Sequence, residues 1–320
     1  MDNFSGLNAR VSYERQDESI SDVFHENSKM RRIDGQYWGK RFSEIRSNVH
    51  LCKAMSKTYK EYPNCESIEL CKSWKSTKMS FEDIIINRRT TRVYSGESIT
   101  LEELSKILYF TYGITFAFKA FGQHGGFFHA PDFMIGPEAI NIMNDYDGYQ
   151  AFRAAASGGG LYPLEFYICV NAVEGLEQGL YHYNVRRHML EKLRQGNLTK
   201  EYSDLVFNEE WQEKASVHFI ITAMMDRTRF KYLERGYRFI NIDLGHAVEN
   251  LYLAATSCGL GCAAIGGFFD DEVNDFVGID GQSETTMLLV NVGRHPDSEA
   301  SPLVKCLSLI HISEPTRLRC

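Results

Sequence analysis

The chain has 320 residues, 43% hydrophobic and 24% charged, with a formal net charge of −7. That length leaves room for one large domain with a buried core plus an appendage, and the acidic balance excludes general nucleic-acid binding, which needs a basic face. No stretch approaches the ~18 apolar residues of a membrane span, and the polar start MDNFSGLNARVSYERQDES lacks the apolar core of a signal peptide, so a cytoplasmic protein is expected.

Residues 1–78 mix charges and scattered aromatics, with helical periodicity around 15–30 and 41–60, and read as a small helical appendage. Ser80 then precedes FEDIII, and Thr100 opens Thr-Leu-Glu-Glu, a capping box before the apolar-periodic LEELSKILYFTYGI, so two helices are expected. Between them lies Asn87-Arg88-Arg89-Thr90-Thr91-Arg92, a concentration of donors suited to an anionic phosphate or, more plainly, a solvated helix end. Residues 115–150 are rich in Phe, Gly and His without clear periodicity and read as a long irregular excursion over a ligand.

Ser157-Gly158-Gly159-Gly160 interrupts a small-residue run just before the strand-like EFYICV. Glycine is retained where a side chain would collide, against a ligand or in a flexible turn. Strands are expected at about 165–171, 179–184, 188–194, 216–224 and 285–292. Residues 236–258 form a long helix apolar on nearly every face, fitting a core or subunit interface, and its His246 reads as a core histidine rather than a catalytic one. Gly259 to Phe268, GLGCAAIGGF, reads as a second close-approach loop or a buried turn, and Asn291-Val292-Gly293-Arg294 ends an apolar strand on an arginine. The eight cysteines contain no CxxC pair, so reduced thiols and no metal site are expected. Residues 307–317, LSLIHISEPTR, match the in-frame translation of a transposase adapter used in short-read DNA libraries. The tail from 301 is therefore excluded from fold reasoning, His311 and Cys320 carry no function, and the natural C-terminus is expected to be missing.

Taken together, RRTTRVYS (88–95), RAAASGGGLYPLEFYICV (153–170), GLYHYN (179–184), RFKYLERGYRF (229–239), DLGHAVENLYLAATSCGLG (243–261), AIGGF (264–268) and NVGR (291–294) resemble the FMN-dependent nitroreductase superfamily. Within it they resemble the SagB-type azoline dehydrogenases, which mature thiazole- and oxazole-containing peptides; FHENSKMRR (24–32) is similar to their N-terminal part. The resemblance implies an α+β fold over residues 79–300, a largely antiparallel sheet flanked by helices, dimeric, with FMN at the interface. It implies that Arg88, Arg89, Thr90 and Arg92 hold the phosphate and ribityl chain, and that Arg294 closes on the same phosphate. Ser157, Gly158, Gly159, Ala264, Ile265, Gly266 and Gly267 would then line the flavin, with Gly266 or Gly267 beside N5. Two departures, Ala156 where proline is usual and Phe230 where tryptophan is common, remove no donor.

Lys231 and Tyr232 match a Lys-Tyr pair implicated in catalysis. Aromatising a thiazoline or oxazoline needs a hydride acceptor and a base, and a desolvated lysine beside a flavin is suited to the second role while a tyrosine relays or orients. Outside this motif the pair would be a surface lysine beside a packing aromatic. Expected partners are a second copy of the chain, a cyclodehydratase and a modified precursor peptide. The alternatives are an NAD(P)H-driven nitro- or quinone reductase that does not need Lys231, and a flavin-bearing scaffold subunit of a peptide-modifying complex.

Overall fold

A computed structural model describes residues 19–119, 133–141, 149–207 and 210–296. The expectations for residues 301–320, the adapter-like stretch included, lie outside the described residues, as does much of the 115–150 excursion. Three helices come first, α1 (Ile20–Asn27), α2 (Gly35–Ser47) and α3 (Val49–Ser56). There follow β1 (Ser67–Glu69), α4 (Phe81–Asn87), β2 (Ile99–Thr100), α5 (Leu101–Tyr112), β3 (Ile114–Lys119), β4 (Phe133–Ile135) and β5 (Tyr149–Arg153). The second half holds β6 (Leu164–Val170), β7 (Val173–Glu174), β8 (Gly179–Asn184), β9 (Met189–Gln195), α6 (Thr199–Asp204) and β10 (Val217–Met224). It closes with α7 (Asp226–Tyr232), α8 (Arg235–Ser257), β11 (Gly261–Ile265), α9 (Asp270–Val277) and β12 (Glu284–Gly293).

The main sheet has seven strands in the order β1-β9-β8-β6-β10-β12-β11, every neighbour antiparallel. Successive side chains of a strand point to opposite faces, and β6 shows the consequence. Its Phe166, Ile168 and Val170 enter the core shared with α5 and α8, while Tyr167 and Cys169 enter a second core beneath α6 and α9. Both faces are covered, which is why the whole of β6 is buried and the sequence reads as a continuous apolar run. The expected strands fall within a residue or two of β6, β8, β9, β10 and β12, and the long helix within a residue of α8.

Local capping is as the sequence predicts. Ser80 accepts from the Asp83 N–H and Thr100 from the Glu103 N–H, each with the reciprocal carboxylate bond of a capping box. These caps fix where α4 and α5 start, and with them the position of the arginine-rich link between the two helices.

Four expectations need correction. GLGCAAIGGF is not simply a loop, because Gly261 to Ile265 pair with β12 as an edge strand. The excursion after residue 114 contains an antiparallel sheet, β4-β3-β5, whose β5 packs against α3 and brings Gln150 and Phe152 beside Gly160. The appendage does not extend to residue 78, since β1 pairs with β9 and Lys60 reaches Glu284 and Tyr167 inside the main body. Finally, His246 is exposed on α8, with Nδ1 3.2 Å from the Ala156 carbonyl, so it is no core histidine.

Candidate active site

The glycine run is fastened to α8 by Asp243, a carboxylate 2% exposed. The Ser157 hydroxyl donates to one Asp243 oxygen, and the Gly158 N–H donates to the other at 3.0 Å. Ser157 Oγ also accepts the Tyr162 N–H at 2.8 Å, closing the loop on itself. Burial pushes the Asp243 carboxyl up, while its bonds from Ser157 and Gly158 pull the other way. Gly159 and Gly160 then take φ of +72° and +65°, the left-handed region that L side chains enter only at a cost.

Gly159 is the residue at which the loop meets Lys231 and Tyr232. A Cβ placed on it would lie 2.5 Å from Tyr232 Oη and 2.8 Å from Lys231 Nζ. Both side chains come from the last turn of α7, and both are partly buried. Burial lowers the Lys231 ammonium below the ordinary lysine value, and the neighbouring Arg46 cation lowers it further. Burial raises Tyr232, Asp243 adds to the rise and Arg46 opposes it. The result is an amine that gives up its proton more readily beside a phenol that holds its own, a base next to a donor.

Around the pair is a cavity of about 370 Å³. Gly159, Gly160, Lys231 and Tyr232 line one side of it. Phe118, Gln150 and Phe152 come from β3 and β5, Phe42, Ile45 and Arg46 from α2, and Cys52 and Met55 from α3.

The arginine-rich link lies against the edge of the sheet. The Thr91 N–H donates to the Cys262 carbonyl at 2.9 Å, and Thr90 bridges to Cys262. Arg88 sits 5.4 Å over the Tyr252 ring, with Nε 3.8 Å from Glu249, and the Tyr252 hydroxyl accepts the Ala264 N–H at 2.8 Å. Arg88, Thr90 and β11 are thus gathered at one place, with Arg92 exposed beside them. Past the strand, Gly266 faces open space, while Gly267 lies under Phe207. Arg89 differs, donating to the Ile86 and Arg88 carbonyls as a cap on α4. Arg294 is engaged elsewhere too, by Glu103 at 2.9 Å and by the Ser98 carbonyl at 2.8 Å. The donor set of Arg88, Thr90 and Arg92 fits a phosphate monoester, whose charge and acceptors it complements; Arg89 is turned back onto carbonyls at the end of α4 and Arg294 onto Glu103.

The two groups do not meet within one chain. Asp243 holds the glycine run and Tyr252 underlies Arg88, and at ~3.6 residues per turn these positions are about two and a half turns apart on α8. They therefore lie on opposite sides of the helix, about 14 Å apart along its axis at ~1.5 Å per residue. The sequence reading missed Asp243, Tyr252 and the α2–α3 wall. The only local signal was an acid within an apolar-periodic helix.

Among the described residues no helix is long and apolar enough to cross a membrane, and no cluster of His, Cys, Asp or Glu could hold a metal ion. The Nitroreductase family model matches residues 85–294. MJ1384 of Methanocaldococcus jannaschii, a nitroreductase-type protein, is 31% identical over 217 residues, 68% of this chain and 92% of its own length. The trifolitoxin-processing protein TfxB of Rhizobium leguminosarum bv. trifolii is 32% identical over 45% of this chain and 40% of its own. The microcin B17-processing protein McbC of Escherichia coli is 26% identical over 47% of this chain and 57% of its own. The match thus spans less than two thirds of both processing proteins. A crystal structure of a nitroreductase-type protein from Anabaena variabilis superposes with a TM-score of 0.57 at 28% identity, covering 74% of this chain and 43% of that one.

Proposed function

Since the chain belongs to the nitroreductase family, and is an oxidoreductase related to trifolitoxin- and microcin-processing proteins, we propose that it is an FMN-dependent dehydrogenase of peptide azolines. Its reaction would convert a thiazoline or oxazoline ring to the thiazole or oxazole. The observation that carries this reading is the partly buried Lys231–Tyr232 pair set against Gly159 at a cavity of about 370 Å³.

FMN, when bound, supplies the two-electron acceptor that takes a hydride from one ring carbon, and a terminal acceptor such as dioxygen must later remove those electrons. Arg88, Thr90 and Arg92 would hold its phosphate, with the backbone of Ala264, Ile265, Gly266 and Gly267 and the Ser157–Gly159 loop against its ring system. The neutral Lys231 amine takes the proton from the adjacent ring carbon. The Tyr232 hydroxyl stays protonated, donating to the substrate and orienting it. Because the loop and the arginines occupy opposite sides of α8, a homodimer pairing α8 with the partner's α8 would bring one chain's loop to the other's arginines. That arrangement is the physical reason to expect a dimer. The same reading makes a cyclodehydratase, which forms azolines, and its precursor peptide the partners, in the cytoplasm.

The test is a single turnover of the purified protein with a synthetic thiazoline peptide under anaerobic conditions. A product two hydrogens lighter, formed as the flavin colour bleaches, is the expected result. No mass change, together with brisk NAD(P)H-dependent nitroarene reduction, would favour the reductase reading, which the similarity to MJ1384 supports.

A further inference from the structure

The N-terminal helices do not stand apart from the site. Arg41 Nε donates to the Lys231 carbonyl at 3.2 Å, and its Nη2 donates to the Phe230 carbonyl. Carbonyls of a last helical turn have no partner within the helix, so Arg41 ties α2 to the end of α7 through groups that need a donor. Arg235 donates to the Ser28 carbonyl at 3.0 Å, and Arg238 to Ser28 Oγ and the His25 carbonyl at 2.8 and 2.6 Å. Two edge-to-face ring pairs, Phe24 with Tyr237 and Phe42 with Tyr232, complete the seam. Phe42, Ile45, Cys52 and Met55 are thereby held across the cavity from Phe118 and Phe152.

We propose that this wall, formed by Phe42, Ile45, Cys52 and Met55, is the specificity determinant of the cavity and selects an uncharged, apolar side chain next to the ring being oxidised. The proposal rests on the azoline reading above and names which azolines are taken. A volume of about 370 Å³ is near the lower end of the ~300–1,000 Å³ of ligand sites. The wall is apolar, with Ile45 and Cys52 only 7% and 4% exposed. The Cys52 thiol points to the Ile45 carbonyl at 3.4 Å, and burial pushes it up, which keeps it neutral. The nitrogen-bearing side chains lining the cavity are Arg46, a cation, Lys231, which the azoline reading uses as the neutral amine, and Gln150, a neutral amide. A lysine or arginine beside the substrate ring would be desolvated with no acid among these lining residues and the Arg46 cation nearby, an arrangement that discriminates against it. An apolar side chain loses nothing by the same burial.

The test uses thiazoline peptides identical but for Leu, Gln or Lys next to the ring, with kcat/KM measured for wild type and Met55→Glu. Parallel binding assays by fluorescence anisotropy use the matching thiazole peptides, which need no chemistry. Wild type is expected to prefer Leu over Lys by ~10–200-fold, the range a hydrophobic pocket achieves, with Gln between. Met55→Glu, which puts an acid into the wall, is expected to cut that ratio at least tenfold by rescuing the Lys peptide, with flavin content unchanged. Equal use of all three peptides by wild type, or an unchanged ratio in Met55→Glu, would overturn the wall's role. If no peptide is oxidised but the thiazoles bind in the order Leu over Lys, reversed by Met55→Glu, the wall stands and the reaction falls. Absence of both oxidation and binding overturns both.

Discussion

Replacing Gly159 with alanine separates the stability of the site from its chemistry. Two costs can be assigned. The first is conformational, since φ is +72° and an L residue in that region costs about 1–2 kcal/mol. The second is steric, because the new methyl would sit 2.5 Å from Tyr232 Oη and 2.8 Å from Lys231 Nζ. Those atoms are the ends of side chains and can move, so the collision is relieved by shifting Lys231 and Tyr232 about an ångström rather than by unfolding. A misplacement of that size costs about 10²-fold in rate. Gly160→Ala is the control, because φ is +65° but the nearest atom to a Cβ is Phe152 Cε1 at 3.7 Å, an ordinary contact. Both variants should therefore lose a similar ~1–2 kcal/mol in urea unfolding, yet only Gly159→Ala should lose about two orders of magnitude in single-turnover azoline oxidation. Equal rates for the two variants would refute the idea that Gly159 is glycine in order to seat Lys231 and Tyr232.

Lys231→Ala should keep its flavin and its reduction by artificial reductants while losing azoline oxidation by ~10²–10⁴-fold, and Tyr232→Phe should cost less. In wild type the rate should rise with pH as Lys231 deprotonates, with the midpoint below the ordinary lysine value because burial and Arg46 lower it, and Arg46→Gln should move that midpoint up; a pH–rate profile checks both. Arg88→Ala should abolish the preference for FMN over riboflavin, measured by titration calorimetry, whereas Arg294→Ala should chiefly lower the melting temperature, since that guanidinium pairs with Glu103. Glu165→Gln should destabilise the protein by about 3–5 kcal/mol in urea, because it breaks a buried ion pair in which Glu165 lies between Arg227 at 2.5 Å and His182 at 3.0 Å. Burial would raise Glu165, but Arg227 and then His182 outweigh it and hold it at about 2. Its stabilisation is thus present above the ordinary glutamate pKa and is lost as pH falls toward 2, so the variant's acid limb of stability against pH should be flatter. His182, raised by Glu165 and Glu191 against the effect of burial, contributes below its unfolded pKa and ceases to as pH rises through the folded one.

Features encoded within a few residues were legible before any fold was known. The short apolar run EFYICV marks a strand, the Ser80 and Thr100 boxes mark helix starts, and the apolar faces of 236–258 mark a helix that must be packed. The glycine run was legible from the backbone freedom of its own residue type, whereas Lys231 and Tyr232 stood out only through the resemblance of the segment that carries them. Tertiary structure alone decided which of these meet. Gly261–Ile265 became a strand because β12 offers it an unpaired edge, and nothing within GCAAI distinguishes that from a turn. Arg294 looks like Arg88 in the sequence, yet Glu103 and the Ser98 carbonyl claim it. Arg41 and Phe42 reach α7 across some 190 positions of chain, and Asp243 reaches Ser157 across 86. Periodicity and capping are short-range, fixed by the 2- and 3.6-residue repeats of the backbone, whereas such contacts depend on how whole elements pack, which no local pattern records.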